Sequence, residues 1–226
     1  LMENNIIPWG CIVLDPRPIT GKSTHNITRK DLFKDFDPDM KFFVASMTDP
    51  SVTEHLIERD AKIWGWHAFT DSLREEDEQG KAIENQQVKL SNELGIPQGA
   101  TLITGGTCAA MRGIGMLHTM GFRDIHLFGF DCCRNEPTDE EKTETTGDTE
   151  GGEVPKPKYI QVNVKESTYW TTGELLAMAQ DCEKVFNDPG LEGVLSYHGK
   201  DTMVADLWDI KVSQEKRPQF ERYYDD

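Results

Sequence analysis

Gly105-Gly106-Thr107 separates a strand-like run, Thr101–Thr104, from a helix-like run that continues through Cys108, Ala109, Ala110 and Met111. Glycines at such a turn let backbone approach a ligand closely, and the helix that follows offers unpaired N–H groups and a positive dipole end. The chemistry this suits is contact with a phosphate, a sugar or a ring. The competing reading is a tight turn with Thr107 as a plain helix cap. Two carboxylates stand at matching places: Asp15 closes the run Gly10–Leu14, and Asp131 closes Ile125–Phe130. Strand ends of a parallel sheet gather at one rim, where ligands bind. There Asp15 and Asp131 would hold a divalent cation bridging phosphates, or the hydroxyls of a ribose, unless they only cap helices or close a local turn. Arg17, fixed between Pro16 and Pro18, presents a guanidinium suited to phosphate or to an ion pair with Asp15. His67, at the end of another strand beside Trp66, is a candidate base or substrate contact, against a purely structural histidine. His126 and His198 are weaker candidates.

These residues need a scaffold, and the pattern of the chain supplies one. Gly10–Asp15, Lys41–Ser46, Ala61–His67, Thr101–Thr104 and Ile125–Asp131 read as short apolar strands. Asp49-Pro50 opens a short helix with Val52 and Leu56 on one side. A second helix carries Ala110, Gly113, Ile114, Leu117 and Met120 on one face and ends at Gly121. Tyr159–Val164 alternates as a strand. Thr171 with Glu174 reads as a capping box, followed by Leu175, Ala179, Cys182 and Phe186 at helical spacing. Gly193–His198 is a last strand, and Asp201–Trp208 a short helix. Residues 71–92, rich in charge and amide, read as a solvated helix or loop. Trp64 and Trp66, two apart on one strand, read as core. The expected fold is α/β: a Rossmann-like three-layer sandwich with a mostly parallel sheet. A single domain over residues 1–226 is expected, with an exposed acidic insertion at about 132–158.

Composition narrows the function. The chain has 226 residues and a formal net charge of −16. That balance repels nucleic-acid backbones and anionic lipid, so neither is an expected partner. No apolar run reaches the ~18 residues of a membrane helix. Cysteines number five, an odd count without a C-x-x-C pair, which points to a reducing, cytoplasmic setting. No basic segment precedes an apolar one near the start, so no signal peptide is expected. Leu1-Met2-Glu3-Asn4-Asn5 reads like the tail of a helix entered midway, so further residues are expected upstream. Walker-type, G-x-G-x-x-G, G-x-S-x-G and H-E-x-x-H motifs do not occur.

The block Gly105-Gly106-Thr107, the helix to Gly121-Phe122, and Ile125-His126-Leu127-Phe128-Gly129-Phe130-Asp131 resembles the signature of the MptE-like family. This is the 6-hydroxymethyl-7,8-dihydropterin diphosphokinase-like domain, also found in flagellin-modifying motility accessory proteins. Pro8-Trp9-Gly10 through Asp15-Pro16 is similar to the family's upstream strand segment. The resemblance covers roughly residues 6 to 131. It implies a Rossmann-like fold related to some sialyltransferases, and pyrophosphoryl transfer from ATP with magnesium or glycosyl transfer from a nucleotide sugar. Two departures stand out: the family's N-terminal strand and glycine-rich loop should lie before residue 1, and the segment after Asp131 is unusually acidic. The expected function is a transferase using a nucleotide-activated donor of the diphosphokinase-like type. Asp15, Asp131 and His67 would be catalytic, and Gly105, Gly106, Thr107 and Arg17 would bind the cofactor. The alternatives are a sialyltransferase-like glycosyltransferase, with His67 or His198 as base, and a non-catalytic scaffold. A homo-oligomer is compatible with each.

Overall fold

The apolar run Lys41–Ala45 forms the strand β2, and it pairs in parallel with β1 (Gly10–Val13) on one side and β3 (Lys62–Ala68) on the other. A two-residue strand, β4 (Leu102–Ile103), adds to β3 in the same direction. The result is a four-stranded, all-parallel sheet in the order β1-β2-β3-β4. The computed structural model describes residues 6–21, 28–68, 95, 102–103, 105–106, 108–139 and 158–213. Thr107, residues 71–92 and most of the acidic segment lie outside these. The chain divides into two units, Leu1–Thr104 and Gly105–Asp226.

In the first unit, α1 (Arg29–Leu32) and α2 (Pro50–Ile57) lie between successive parallel strands, which cannot be joined by a tight turn. Asp49 starts α2 as expected: its carboxylate accepts from the Ser51 N–H at 3.0 Å and the Ser51 hydroxyl at 2.6 Å. These bonds hold the Asp49 carboxyl below its ordinary value. Val52 and Leu56, one helical turn apart, are fully buried and pack with Val13, Phe42 and Val44. Phe43 points to the opposite face, where an aromatic ribbon runs from Trp9, just before β1, to Phe43 on β2 and Trp64 on β3. Trp9 and Phe43 stand 5.5 Å apart, and Phe43 and Trp64 5.9 Å apart. Lys41 sits 4.7 Å over Trp9, within cation–π range. The two tryptophans of β3 therefore part company. Trp66 is buried and donates its indole N–H to the Phe43 carbonyl at 3.0 Å, whereas Trp64 remains 44% exposed.

In the second unit, α3 (Ala109–Thr119) is followed by β5 (Ile125–Phe128), the hairpin β6 (Tyr159–Val164) and β7 (Ser167–Thr172), then α4 (Gly173–Phe186), β8 (Leu195–His198) and α5 (Met203–Ser213). β5 and β8 pair in parallel, and β6 and β7 antiparallel. One core joins Met111 and Ile114 of α3, Leu176, Ala179, Cys182 and Phe186 of α4, and Met203, Val204 and Leu207 of α5. Helix α3 ends as expected at Gly121, whose φ is +99°. The Phe122 N–H reaches back to the Leu117 carbonyl at 3.0 Å, the closing bond of a Schellman turn.

Several expectations need correction. The buried stripe of α3 centres on Met111 and Ile114, and Met120 is exposed. Strand β7 is new: Ser167–Thr172 pairs with β6 throughout, so the chain extends where a helix cap was expected. The cap of α4 is Thr172, accepting from the Leu175 N–H at 3.3 Å, while the buried Thr171 donates to the Cys132 carbonyl. Leu176, rather than Leu175, enters the core. Helix α5 begins at Met203 and runs on to Ser213. The protein is mixed α/β with an all-parallel four-stranded sheet and accompanying helices, compatible with a Rossmann-like fold. Among the described residues, no helix is long and apolar enough to cross a membrane.

Candidate functional site: a cleft at Asp131

The end of β5 is re-aimed by two residues with positive φ, Gly129 at +66° and Cys132 at +54°. The left-handed conformation is natural for glycine and strained for cysteine, so the corner at Cys132 has to be held. Three bonds hold it. Thr171 Oγ1 donates to the Cys132 carbonyl at 2.8 Å, and the Arg134 N–H donates to the Trp170 carbonyl at 2.8 Å. The Tyr197 hydroxyl donates to the Phe130 carbonyl at 3.2 Å and lies 3.0 Å from Thr202 Oγ1. Residues 130–134 are thereby pinned to β7 on one side and to Tyr197 of β8 on the other.

These contacts leave a cleft of about 660 Å³ lined by Asp131, Arg134, Tyr159, Trp170 and Asp201 among others. The volume falls within the range of small-molecule sites. Aromatic rings, carboxylates and one guanidinium converge there. Tyr169, also in its lining, donates its hydroxyl to Asp206 Oδ2 at 2.7 Å. Burial, and then the bond to this carboxylate, push the phenol up to about 12. The phenol is therefore held neutral, as a donor. Burial also raises the Cys133 thiol, so that lining residue is a weak nucleophile at neutral pH.

Of the residues singled out from sequence, Asp131 is the one placed in this cleft. Gly105 and Gly106 lie at the start of the same unit, with φ of +128° and +79°. Each is glycine for a packing reason as well. A Cβ on Gly105 would come within 2.7 Å of the Met111 carbonyl carbon and 2.9 Å of the Arg112 Cα. A Cβ on Gly106 would come within 2.5 Å of Asp181 Cγ, on α4. Asp181 is almost wholly buried and pairs with Lys184 at 3.3 Å. A phosphate brought to Gly106 would meet that carboxylate. Helix α3 begins at Ala109, capped by extended Cys108 without a side-chain bond.

Asp15, Arg17 and His67 belong to the first unit. Arg17 is committed to Asp15: Nη2 lies 2.5 Å from Oδ2, Nε lies 3.0 Å from Oδ1, and the Arg17 N–H donates to Oδ1 at 2.9 Å. His67 is the penultimate residue of β3, in register with Leu102, and its buried Nδ1 has no hydrogen-bond partner among the described residues. Magnesium needs several oxygen ligands in near-octahedral array. Asp15 is occupied by a guanidinium, and among the described residues no group of three or more His, Cys, Asp or Glu is placed to hold a metal ion. The described residues do not fit that ion.

Sequence reasoning missed Arg134, Tyr159, Tyr169, Trp170 and Asp201. The signal for the two β7 residues was on the page: Ser167-Thr168-Tyr169-Trp170-Thr171-Thr172 is β-branched and aromatic. Only Lys165-Glu166 separates it from the preceding strand, which is a hairpin spacing. No family model, curated protein or solved structure matches the chain.

Proposed function

We propose that the second unit binds a nucleotide-activated donor in the cleft at Asp131, and that the chain is a transferase built on a Rossmann-like three-layer sandwich. The observation that carries this reading is the convergence of Asp131, Arg134 and Trp170 on one cleft at the end of a parallel strand. Trp170 and Tyr159 offer ring faces for a base. Asp131 and Asp201 accept from ribose hydroxyls. Arg134 meets the phosphate by charge-assisted hydrogen bonds. The resemblance to diphosphokinase-like domains favours pyrophosphoryl transfer. One observation favours glycosyl transfer from a nucleotide sugar instead: Asp131, Glu136 and Asp201 set three carboxylates against the guanidinium of Arg134 in the lining. That field opposes a triphosphate more than a sugar nucleotide of lower charge. The five free thiols support a cytoplasmic setting.

The test is calorimetric titration with ATP, CMP, UDP and GDP, each with and without magnesium, on the chain and on Arg134→Ala. A charge-assisted bond is worth about 1.5–3 kcal/mol, so Arg134→Ala should weaken the binding nucleotide by roughly tenfold to a hundredfold. Failure of all four to bind, or equal affinity in Arg134→Ala, ends the proposal.

A further inference from the structure

The outer face of the β5/β8 pair carries a second polar constellation, separate from the lining of the cleft. Ile125, Leu195 and Tyr197 point inward and are buried, while His126, Phe128 and His198 are exposed. In the parallel register His126 stands beside Ser196, and Phe128 beside His198. The two histidines are thus diagonal neighbours on one face. Nδ1 of His126 lies 2.6 Å from Nε2 of His198, and Nε2 of His126 lies 3.0 Å from Asp124 Oδ1.

With both rings neutral, the carboxylate sets where the protons lie. Neutral imidazole has one N–H. Asp124 accepts it from Nε2 of His126, which leaves a lone pair on Nδ1. His198 therefore donates from Nε2 into that lone pair. The His198 ring is in turn stacked on Phe128, with centroids 4.4 Å apart and planes 10° from parallel. Two ring nitrogens face each other, one ring is oriented by a carboxylate behind it, and the other is held by an aromatic face. A carboxylate on the far nitrogen is how proteins set the tautomer of a ligating histidine and raise its basicity.

We propose that His126 and His198 form a two-imidazole chelate for a divalent transition cation of the zinc, nickel and copper class, the ions that imidazole suits. The exchange balances without an outside partner. His198 moves its proton from Nε2 to Nδ1 and turns the freed lone pair to the ion, and His126 keeps its proton on Asp124. Ligands at about 2.0–2.1 Å in a tetrahedral array stand about 3.3 Å apart. The nitrogens need only part by a few tenths of an ångström each, which exposed rings allow. Water fills the remaining positions, so the bound ion keeps open coordination sites. The proposal does not depend on the function of the cleft.

Nickel titration by calorimetry tests it on the full chain, on His126→Gln, on His198→Gln and on the double variant. Circular dichroism confirms that each is folded. The chain should take up one ion at this site. Each single variant should lose about tenfold or more in affinity, and the double variant should bind no more weakly than either single one, because a chelate lost once is lost entirely. Asp124→Asn should bind roughly tenfold more weakly although it touches no ion. His118→Gln, on α3, should bind as the unaltered chain does. Undiminished nickel affinity in His126→Gln or His198→Gln, or no uptake by the unaltered chain, overturns the proposal.

Discussion

Placing a methyl group on Gly106 tests the account of the glycine turn quantitatively. Gly129 supplies the reference, because its φ is also positive, at +66°, and an added Cβ there meets nothing within 4 Å. Gly129→Ala should therefore cost only the backbone term, about 1–2 kcal/mol for a side chain in the left-handed region. Gly106→Ala carries the same term at φ +79°. It also drives a Cβ against Asp181, 2.5 Å from Cγ and 2.8 Å from Cβ. Overpacking of this kind adds about 1–3 kcal/mol, for a total of roughly 2–5 kcal/mol. The geometry further predicts how the penalty divides. Asp181→Ala removes Cγ and the carboxylate but leaves its Cβ, so the cost of Gly106→Ala in that background should shrink by about 1–2 kcal/mol without vanishing. Urea denaturation of the five chains (unaltered, the three single variants and the Gly106→Ala/Asp181→Ala double variant), followed by far-ultraviolet circular dichroism, measures these terms. The reasoning fails if Gly106→Ala is no worse than Gly129→Ala, or if its penalty is unchanged when Asp181 is alanine.

Two further outcomes follow from the chemistry of the second unit and its neighbour. The folded-state value of Tyr169, about 12, lies above the ordinary value of 10 for an unfolded tyrosine. Its contribution to stability is therefore complete below pH 10 and is lost as the pH rises through about 12. Tyr169→Phe should remove a step near pH 12 from the native phenolate absorbance titration and flatten the decline in stability across that window; an unchanged step there would count against the raising of this phenol by burial and its bond to Asp206. Burial raises the thiols of Cys11, Cys108 and Cys133, and a hydrogen bond to Cys132 together with burial raises Cys182. Ellman's reagent should accordingly react with these thiols slowly in native protein and fast in urea, and a rapid native reaction mapped to any of them would refute their assignment as inert.

The strands of the sheet were legible because each is built on a short apolar run, such as Phe42-Phe43-Val44-Ala45, bounded by polar or turn-forming residues. Asp49-Pro50 was legible for a similar reason: capping and the fixed φ of proline are local effects that need no tertiary context. The cleft was less so. Asp131 could be placed at a strand end, but its companions Arg134 and Asp201 are charged residues in segments without periodicity, and only long-range bonds such as Thr171 to Cys132 bring them together. Strand β7 was hidden by a real ambiguity. Thr171 and Thr172 both precede Glu174 closely enough to suggest a cap, and the capping signal outweighed the β-branched run around it. The buried carboxylate of Asp181 beside Gly106 was beyond reach, since a lone aspartate on a helix reads as solvated. The pairing of His126 with His198 depends on parallel register between residues 72 apart in sequence, which no local pattern encodes.

The aromatic ribbon across the sheet has an optical consequence. Trp9, Trp64 and Trp66 all fall within Leu1–Thr104, and Trp170 and Trp208 within Gly105–Asp226. Each half of the chain thus owns its fluorophores. Phenylalanine at 170 and 208 would leave an emission spectrum arising from the sheet alone, with half-exposed Trp9 and Trp64 at its red side and enclosed Trp66 at its blue side. The converse replacement would silence the sheet and leave Trp170, on the wall of the cleft, to report quenching by whatever ligand enters.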